Sequence, residues 1–253
     1  MTLNLWLAFV AAFVGANLNA TVGGGTFLTY PVLLLMGNTG IVANATSTVV
    51  LWPGITATLP GFKREITKSK RWIKVLVYPA IAGGMLGSFI LTHTSNSLFK
   101  WIAPLLILVG ALLFQYQKQV DHFLRNIDLY KDGHRAAVVF CIVFSISVYG
   151  AYFGAGIGIL LLGGLSILGI RDIVQNIALK NVLAVAVNGV AVIYFALSGI
   201  VHWQVVPVMV CGSIIGGFTG VHLVRKVNQR TLRKTVIFLG YSIAVTLLLL
   251  NFI

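Results

Sequence analysis

The stretch from Val22 to Gly37 reads VGGGTFLTYPVLLLMG, and the stretch from Phe153 to Gly169 reads FGAGIGILLLGGLSILG. In each of them a cluster of glycines precedes an apolar run that ends in another glycine. Three residues have counterparts at one constant offset of 132 positions: Gly24, Gly37 and Asn44 match Gly156, Gly169 and Asn176. Similarity at a fixed offset indicates an internal repeat. The chain is therefore an approximate duplication.

The composition is that of a membrane protein. Of the 253 residues, 58% are hydrophobic and 9% are charged, whereas a soluble domain has about 25% charged residues. Residues 1–62 contain no charged side chain, and a bilayer core about 30 Å thick is crossed by about 20 apolar residues. These features exclude a soluble globular enzyme and predict an all-α, polytopic membrane protein.

The basic residues are concentrated in three short segments. Of the 18 lysines and arginines, 15 lie in residues 63–74, 117–135 and 224–234. Such clustering follows the positive-inside rule rather than phosphate recognition, so we expect these loops to be cytoplasmic and no nucleic acid to bind. Both termini then fall outside.

The charges also predict how the two copies are related. The loop after the third apolar segment is basic in the first copy (63–74), but the equivalent loop of the second copy carries only His202. Equivalent loops therefore prefer opposite sides of the membrane, as in inverted-topology repeats. We expect repeat 1 over about 3–116, a cytoplasmic linker over about 117–135, and repeat 2 over about 136–253. Roughly 8–10 membrane segments are expected, with broken or re-entrant helices at the glycine clusters.

The glycines admit different roles. Gly83 and Gly87, and likewise Gly212 and Gly216, have the small-xxx-small spacing of closely packed helices. The clusters at 23–25 and 154–158 are of another kind, because clustered glycines open a helix and the exposed amides of a half-helix attract anions. Short glycine-interrupted segments at matching positions point to a transporter's binding site. A nucleotide-binding loop is excluded, since no strand precedes and no Lys-Ser/Thr follows either cluster.

Lys180 is the most informative single residue. It lies about seven residues into an apolar segment, where a lysine is costly unless it snorkels, is paired, or meets a bound anion. All three explanations remain open, and Asp172 is the nearest candidate partner. The five carboxylates of the chain all lie in predicted loops, which argues against a proton relay through buried Asp or Glu. No catalytic constellation, metal-ligand spacing or cofactor motif occurs, so we expect no enzyme activity.

Several of these motifs resemble the TauE/SafE family of sulfite-exporter-like permeases. They are the glycine run followed by Pro31 and Gly37, the segment Ala43-Asn-Ala-Thr-Ser-Thr48, and its cognate Ala178-Leu-Lys-Asn181. The resemblance covers about residues 5–250. It implies a permease of the inner (plasma) membrane of a prokaryote, which carries sulfite, sulfoacetate or another small organosulfur or organic anion.

The expected binding site combines both copies. The glycine clusters would present backbone amides to the anion, and Lys180 would supply the countercharge. The hydroxyl and amide side chains would form further hydrogen bonds with it. The candidate substrate-binding residues are Asn19, Gly23, Gly24, Gly25, Thr46, Ser47, Gly154, Gly156, Gly158, Asn176, Lys180 and Asn181. An anion channel and a non-transporting membrane scaffold remain alternatives. The expected partners are a small anion and the bilayer, with the oligomeric state open and a homodimer one possibility.

Overall fold

The computed structural model describes residues 2–21, 23–116, 119, 135–166, 168, 170, 172–224 and 229–252. These residues form eleven α-helices and one 3-10 helix, and the described part of the chain contains no strand. The first half contains α1 (Thr2–Thr21), α2 (Thr26–Leu35), α3 (Gly40–Thr56), the 3-10 helix (Leu59–Phe62), α4 (Lys63–Lys68), α5 (Lys70–His93) and α6 (Asn96–Gln115). The second half contains α7 (Arg135–Tyr152), α8 (Ile157–Ser166), α9 (Ile173–Leu197), α10 (Val206–Val224) and α11 (Gln229–Phe252).

The helices are those of a membrane protein. Four are long and apolar enough to cross a bilayer, by length and composition: Asn4–Thr21, Lys70–His93, Ile173–Leu197 and Val206–Leu223. Large apolar side chains such as Trp6, Leu35 and Phe238 face outward and are more than half exposed. Both α2 and α8 have only 10 residues. At about 1.5 Å per residue each covers about half of the hydrocarbon thickness.

Corresponding helices of the two halves pack against corresponding partners. Helix α1 packs on α10 while α7 packs on α5, and α3 packs on α10 while α9 packs on α5. Helices α6 and α11 pack on each other. Equivalent helices of the two halves therefore make equivalent contacts, and the most extensive helix pairings join one half to the other. The opposite membrane orientation of the halves stays a prediction.

Glycines permit the closest of these contacts. A Cβ atom on Gly83 would lie 2.5 Å from the carbonyl oxygen of Phe144 in α7. A Cβ atom on Gly212 would lie 2.5 Å from the carbonyl oxygen of Phe9 in α1. Both distances are too short for any side chain. The predicted role of these small residues, and of Gly87 and Gly216 one turn further on, is confirmed.

Two of the three basic segments are helical where the sequence suggested loops. Residues 63–74 form α4 and the first turn of α5, and α11 already begins at Gln229 within the segment 224–234. The helical form is natural because lysine and arginine are good helix formers. The linker at 117–135 lies outside the described residues except for Gln119 and Arg135.

Candidate functional site

As expected, a glycine cluster ends the first helix of each half, α1 and α7. After α1 ends at Thr21, Gly23 and Gly24 have φ angles of +88° and +97°. After α7, Gly154 and Gly156 have φ angles of +78° and +83°. Only glycine adopts this left-handed conformation freely. The amide of Gly23 donates to the carbonyl of Leu18 at 2.8 Å, which closes the end of α1 before the chain turns into α2.

The two clusters lie against each other at the centre of the molecule. A Cβ atom on Gly23 would be 2.7 Å from the Cα atom of Gly158. A Cβ atom on Gly154 would be 3.6 Å from the hydroxyl oxygen of Thr26. The first turns of α2 and α8 therefore meet, although their glycine clusters are more than 120 positions apart in the sequence.

A small cavity lies at this meeting point. Its volume is about 20 Å³, somewhat more than the roughly 10–15 Å³ that one buried water requires. In this conformation it is therefore too small for a multi-atom anion. The lining residues come from both halves: Asn19, Gly23, Thr26, Thr48, Leu51, Ile55, Gly154, Ile157, Gly158, Lys180, Ala184 and Asn188.

Lys180 is buried in the wall of the cavity. Its side chain is 1% exposed, so it does not snorkel to the membrane interface. Its Nζ atom donates to the carbonyl oxygens of Asn19 at 2.7 Å and of Thr21 at 3.4 Å. These carbonyls belong to the last turn of α1, where the helix dipole favours a cation. The carboxylate of Asp172 instead accepts the amides of Val174 and Gln175 as the N-cap of α9.

Lys180 and its neighbour hold the end of α1 from the other half of the chain. The Nδ2 atom of Asn181 donates to the carbonyl oxygen of Ala20 at 3.3 Å and to the hydroxyl of Thr58 at 3.2 Å. The first half makes the equivalent contact to the end of α7 in the second half. The Nδ2 atom of Asn44, in α3, donates to the carbonyl oxygen of Tyr152 at the end of α7, at 2.8 Å. We call this arrangement reciprocal capping.

Five of the predicted site residues line the cavity: Asn19, Gly23, Gly154, Gly158 and Lys180. Gly24, Gly25 and Gly156 lie in the same two turns without lining it. The amide of Gly25 donates to Oδ1 of Asn19 at 2.7 Å. Together with the bond from Gly23 to Leu18, this engages two of the three amides of the first cluster within the protein itself.

Four predicted residues lie away from the cavity, all of them buried. The hydroxyl of Thr46 accepts the amide of His202 at 2.9 Å. Ser47 shares a hydrogen bond with Thr29. Asn176 donates to the carbonyl oxygen of Ile170 at 3.0 Å, and Asn181 takes part in the capping of α1.

The structure adds cavity residues that sequence reasoning did not assign to the site. Thr26, Thr48 and Asn188 are polar residues of the cavity wall. The repeat offset could have identified two of them. Thr48 and Lys180 are 132 positions apart, as are Thr26 and Gly158, so these four residues that line the cavity occupy equivalent positions in the two halves.

The charges around the cavity favour an anion. The first residues of α2 and α8 line it, and each helix N-terminus carries roughly half a positive charge. Among the cavity residues only Lys180 is ionisable. The end of α1 offsets roughly half of its charge. The described residues of the chain contain no cluster of three metal-ligating side chains.

Comparisons with known proteins agree with this architecture. The family model for the sulfite exporter TauE/SafE matches residues 7–247. A probable membrane transporter protein of Haemophilus influenzae is 25% identical over 240 residues, 94% of this chain and 91% of that protein. The probable membrane transporter protein YfcA of Escherichia coli is 23% identical over 246 residues, 96% of this chain and 89% of that protein. No solved structure matches the chain.

Proposed function

The chain belongs to the TauE/SafE sulfite exporter family and is a membrane transporter, and we propose that its cargo is a small anion. Sulfite, sulfoacetate or a related organosulfur compound is the proposed substrate. The observation that carries the proposal is the burial of Lys180 in a cavity between the two halves, where its partners are carbonyl oxygens. A lysine in the wall of an intramembrane cavity is a functional feature by default.

The electrostatics of the cavity support an anionic cargo. Lys180 is held by the end of α1, which neutralises only part of its charge, and the N-termini of α2 and α8 add positive potential. A sulfonate or sulfite group would accept hydrogen bonds from Lys180 Nζ and from the polar side chains of Asn19, Thr26, Thr48 and Asn188. Because the cavity is small, the anion enters only when the surrounding helices separate.

Two sets of contacts at opposite ends of α9 are proposed as the gates. Beyond the C-terminal end of α9, the amide of His202 donates to the hydroxyl of Thr46 in α3. At the N-terminal end of α9, Nε2 of Gln175 donates to the hydroxyl of Ser69 at 3.0 Å. Transport would open one of these ends at a time while one half rocks against the other. Thr46 would thus act in gating rather than in binding.

The membrane orientation is part of the same proposal. The basic segments 63–74 and 224–234 would lie on the cytoplasmic side of a prokaryotic inner membrane, with both termini outside. The Gln175–Ser69 contact would then be the cytoplasmic gate, since Ser69 lies in the segment 63–74. The Thr46–His202 contact would be the outer gate.

The experiment that tests this function is anion flux into proteoliposomes that contain the purified protein. Radiolabelled sulfite and sulfoacetate would be supplied, with acetate for comparison. We expect saturable uptake of a sulfur oxyanion, because a cavity too small for the anion must change conformation for every anion carried. Flux that rises linearly with concentration would indicate a channel instead, and no anion flux above that of empty liposomes would favour a scaffold.

A further inference from the structure

We propose that Lys180 is also the proton carrier of the transporter: its amine binds one proton together with each anion and releases the proton when the anion leaves. The inference rests on the proposed function, because it assigns the coupling ion of the same site. Sequence reasoning set aside a relay through buried carboxylates. The geometry around Nζ supplies another route.

The hydrogen bonds of Lys180 match a group that works in two protonation states. Among the described residues, Nζ has two acceptors, the carbonyl oxygens of Asn19 and Thr21. A neutral amine has two N–H donors and an ammonium has three. Both states can therefore keep the two carbonyls satisfied, and the remaining position on the nitrogen is left for the cavity that Lys180 lines. That position holds a lone pair in the neutral state and a third N–H in the charged state.

The surroundings make the third N–H dependent on the anion. The end of α1 offsets only roughly half of the charge of an ammonium at Lys180. With Lys180 1% exposed, the remaining charge is costly to bury when no counter-ion is present. An anion in the cavity removes that cost and accepts the third N–H. By thermodynamic reciprocity, anion binding must favour protonation to the same degree that protonation favours anion binding.

Other titratable groups do not take this role. Helices α1, α3 and α8 and the 3-10 helix, which pack against α9, carry no titratable side chain. The described titratable side chains on the other elements packed there, and on α9 itself, do not line the cavity. They are Lys63, Arg64, Glu65 and Lys68 on α4, Lys70, Arg71, Lys74, Tyr78 and His93 on α5, Cys141, Tyr149 and Tyr152 on α7, and Asp172 and Tyr194 at α9.

The proton balance of one cycle is simple. On the side of entry, the neutral amine takes a proton from water as the anion enters, and the pair is carried across as an ammonium and its counter-ion. On the side of exit, the anion leaves and the ammonium returns its proton to water. One proton then crosses with each anion, and the empty carrier returns with a neutral lysine.

The test measures proton movement in the unmodified protein. Proteoliposomes containing pyranine, with potassium and valinomycin clamping the membrane potential at zero, would be given labelled sulfoacetate and a pH gradient with the interior alkaline. We expect the lumen to acidify in step with uptake, and accumulation of about tenfold per pH unit at one proton per anion. Sulfoacetate uptake without acidification would overturn the inference and leave the proposed function intact. Absence of any uptake would remove the proposed function and, with it, the inference.

A variant at Lys180 separates anion binding from proton coupling. Lys180→Arg keeps a positive charge but cannot lose its proton under these conditions. We expect this variant still to exchange external for internal sulfoacetate. Its accumulation of sulfoacetate under the pH gradient should fall to the level measured without a pH gradient. Lys74→Arg, at an exposed position in the first turns of α5, is the matched control and should accumulate as the unmodified protein does. Tenfold accumulation per pH unit by Lys180→Arg would contradict the inference.

Discussion

Gly23 and Gly158 are in backbone contact across the two halves of the chain: a Cβ atom on Gly23 would lie 2.7 Å from the Cα atom of Gly158. The contact joins the two breaks that follow α1 and α7, and both residues line the central cavity. A side chain at Gly23 must push the two glycine clusters apart. The shape of the cavity therefore depends on the absence of a side chain at this position.

Gly23→Ala should lower stability and abolish transport. The substitution combines a left-handed φ angle with an overlap against the backbone of Gly158. The first effect costs about 1–2 kcal/mol and the second about 1–3 kcal/mol. Thermal unfolding in detergent and flux per folded protein would measure the two consequences.

Gly37→Ala is the matched control for this substitution. Gly37 has a φ angle of +86°, close to the +88° of Gly23, but no atom lies within 4 Å of its hypothetical Cβ. It should lose stability through backbone strain alone and should keep its transport. Equal losses in the two variants would mean that the contact with Gly158 is unimportant.

Lys180→Met should reduce anion flux to the level of empty liposomes. The variant removes the one ionisable group among the cavity residues, and it leaves the carbonyls of Asn19 and Thr21 without their donor. The lost hydrogen bonds also lower stability by about 1–3 kcal/mol, so flux is to be normalised to folded protein. Lys74→Met should transport as the unmodified protein does. Undiminished flux in Lys180→Met would remove this lysine from the site.

Asn19→Asp should weaken anion binding without unfolding the protein. A carboxylate keeps the acceptor for the amide of Gly25, but it adds a negative charge to the cavity wall that also contains Lys180. This carboxylate and a bound anion carry like charges, and like charges about 4 Å apart repel by several kcal/mol at the effective dielectric constant of a protein. We expect KM for sulfoacetate to rise at least about tenfold, which corresponds to about 1.4 kcal/mol. Asn96→Asp, exposed at the start of α6, should leave KM unchanged.

Gly216→Ala should destabilise the pairing of α10 with α1. Its Cβ atom would lie 2.2 Å from the carbonyl oxygen of Phe13, so α10 must move away from the backbone of α1. Overpacking of this kind costs about 1–3 kcal/mol, and we expect a lower midpoint of thermal unfolding. Ile215→Ala, at the adjacent exposed position, should change the midpoint little. Similar midpoints in the two variants would show that the close approach contributes nothing to stability.

The parts of the fold that depend on local chemistry could be predicted from the sequence. The breaks at Gly23 and Gly154 follow from the freedom of glycine at positive φ, and the packing role of Gly83 follows from its spacing. Lys180 could be recognised because a lysine in an apolar segment is rare. Its carbonyl partners could not be recognised, since Asn19 lies 161 positions away and offers its backbone, which no sequence pattern reports.

The site was harder to predict than the fold for the same reason. Thr46 and Asn181 are polar residues in apolar helices, which marks them as important without saying what they contact. The structure gives them partners away from the cavity: His202 in the loop between α9 and α10, and Ala20 at the end of α1. Conversely, Leu51 and Ile55 line the cavity but look like ordinary core residues in the sequence.

Reciprocal capping has a consequence for how the chain can be divided. The end of α7 is held by Asn44 of the first half, and the end of α1 is held by Lys180 and Asn181 of the second. A single half would leave those carbonyls bare in hydrocarbon, where each unsatisfied group costs several kcal/mol. Each half therefore depends on the other to fold, and a gene cut between residues 117 and 134 should still yield a working protein when both pieces are made in the same cell.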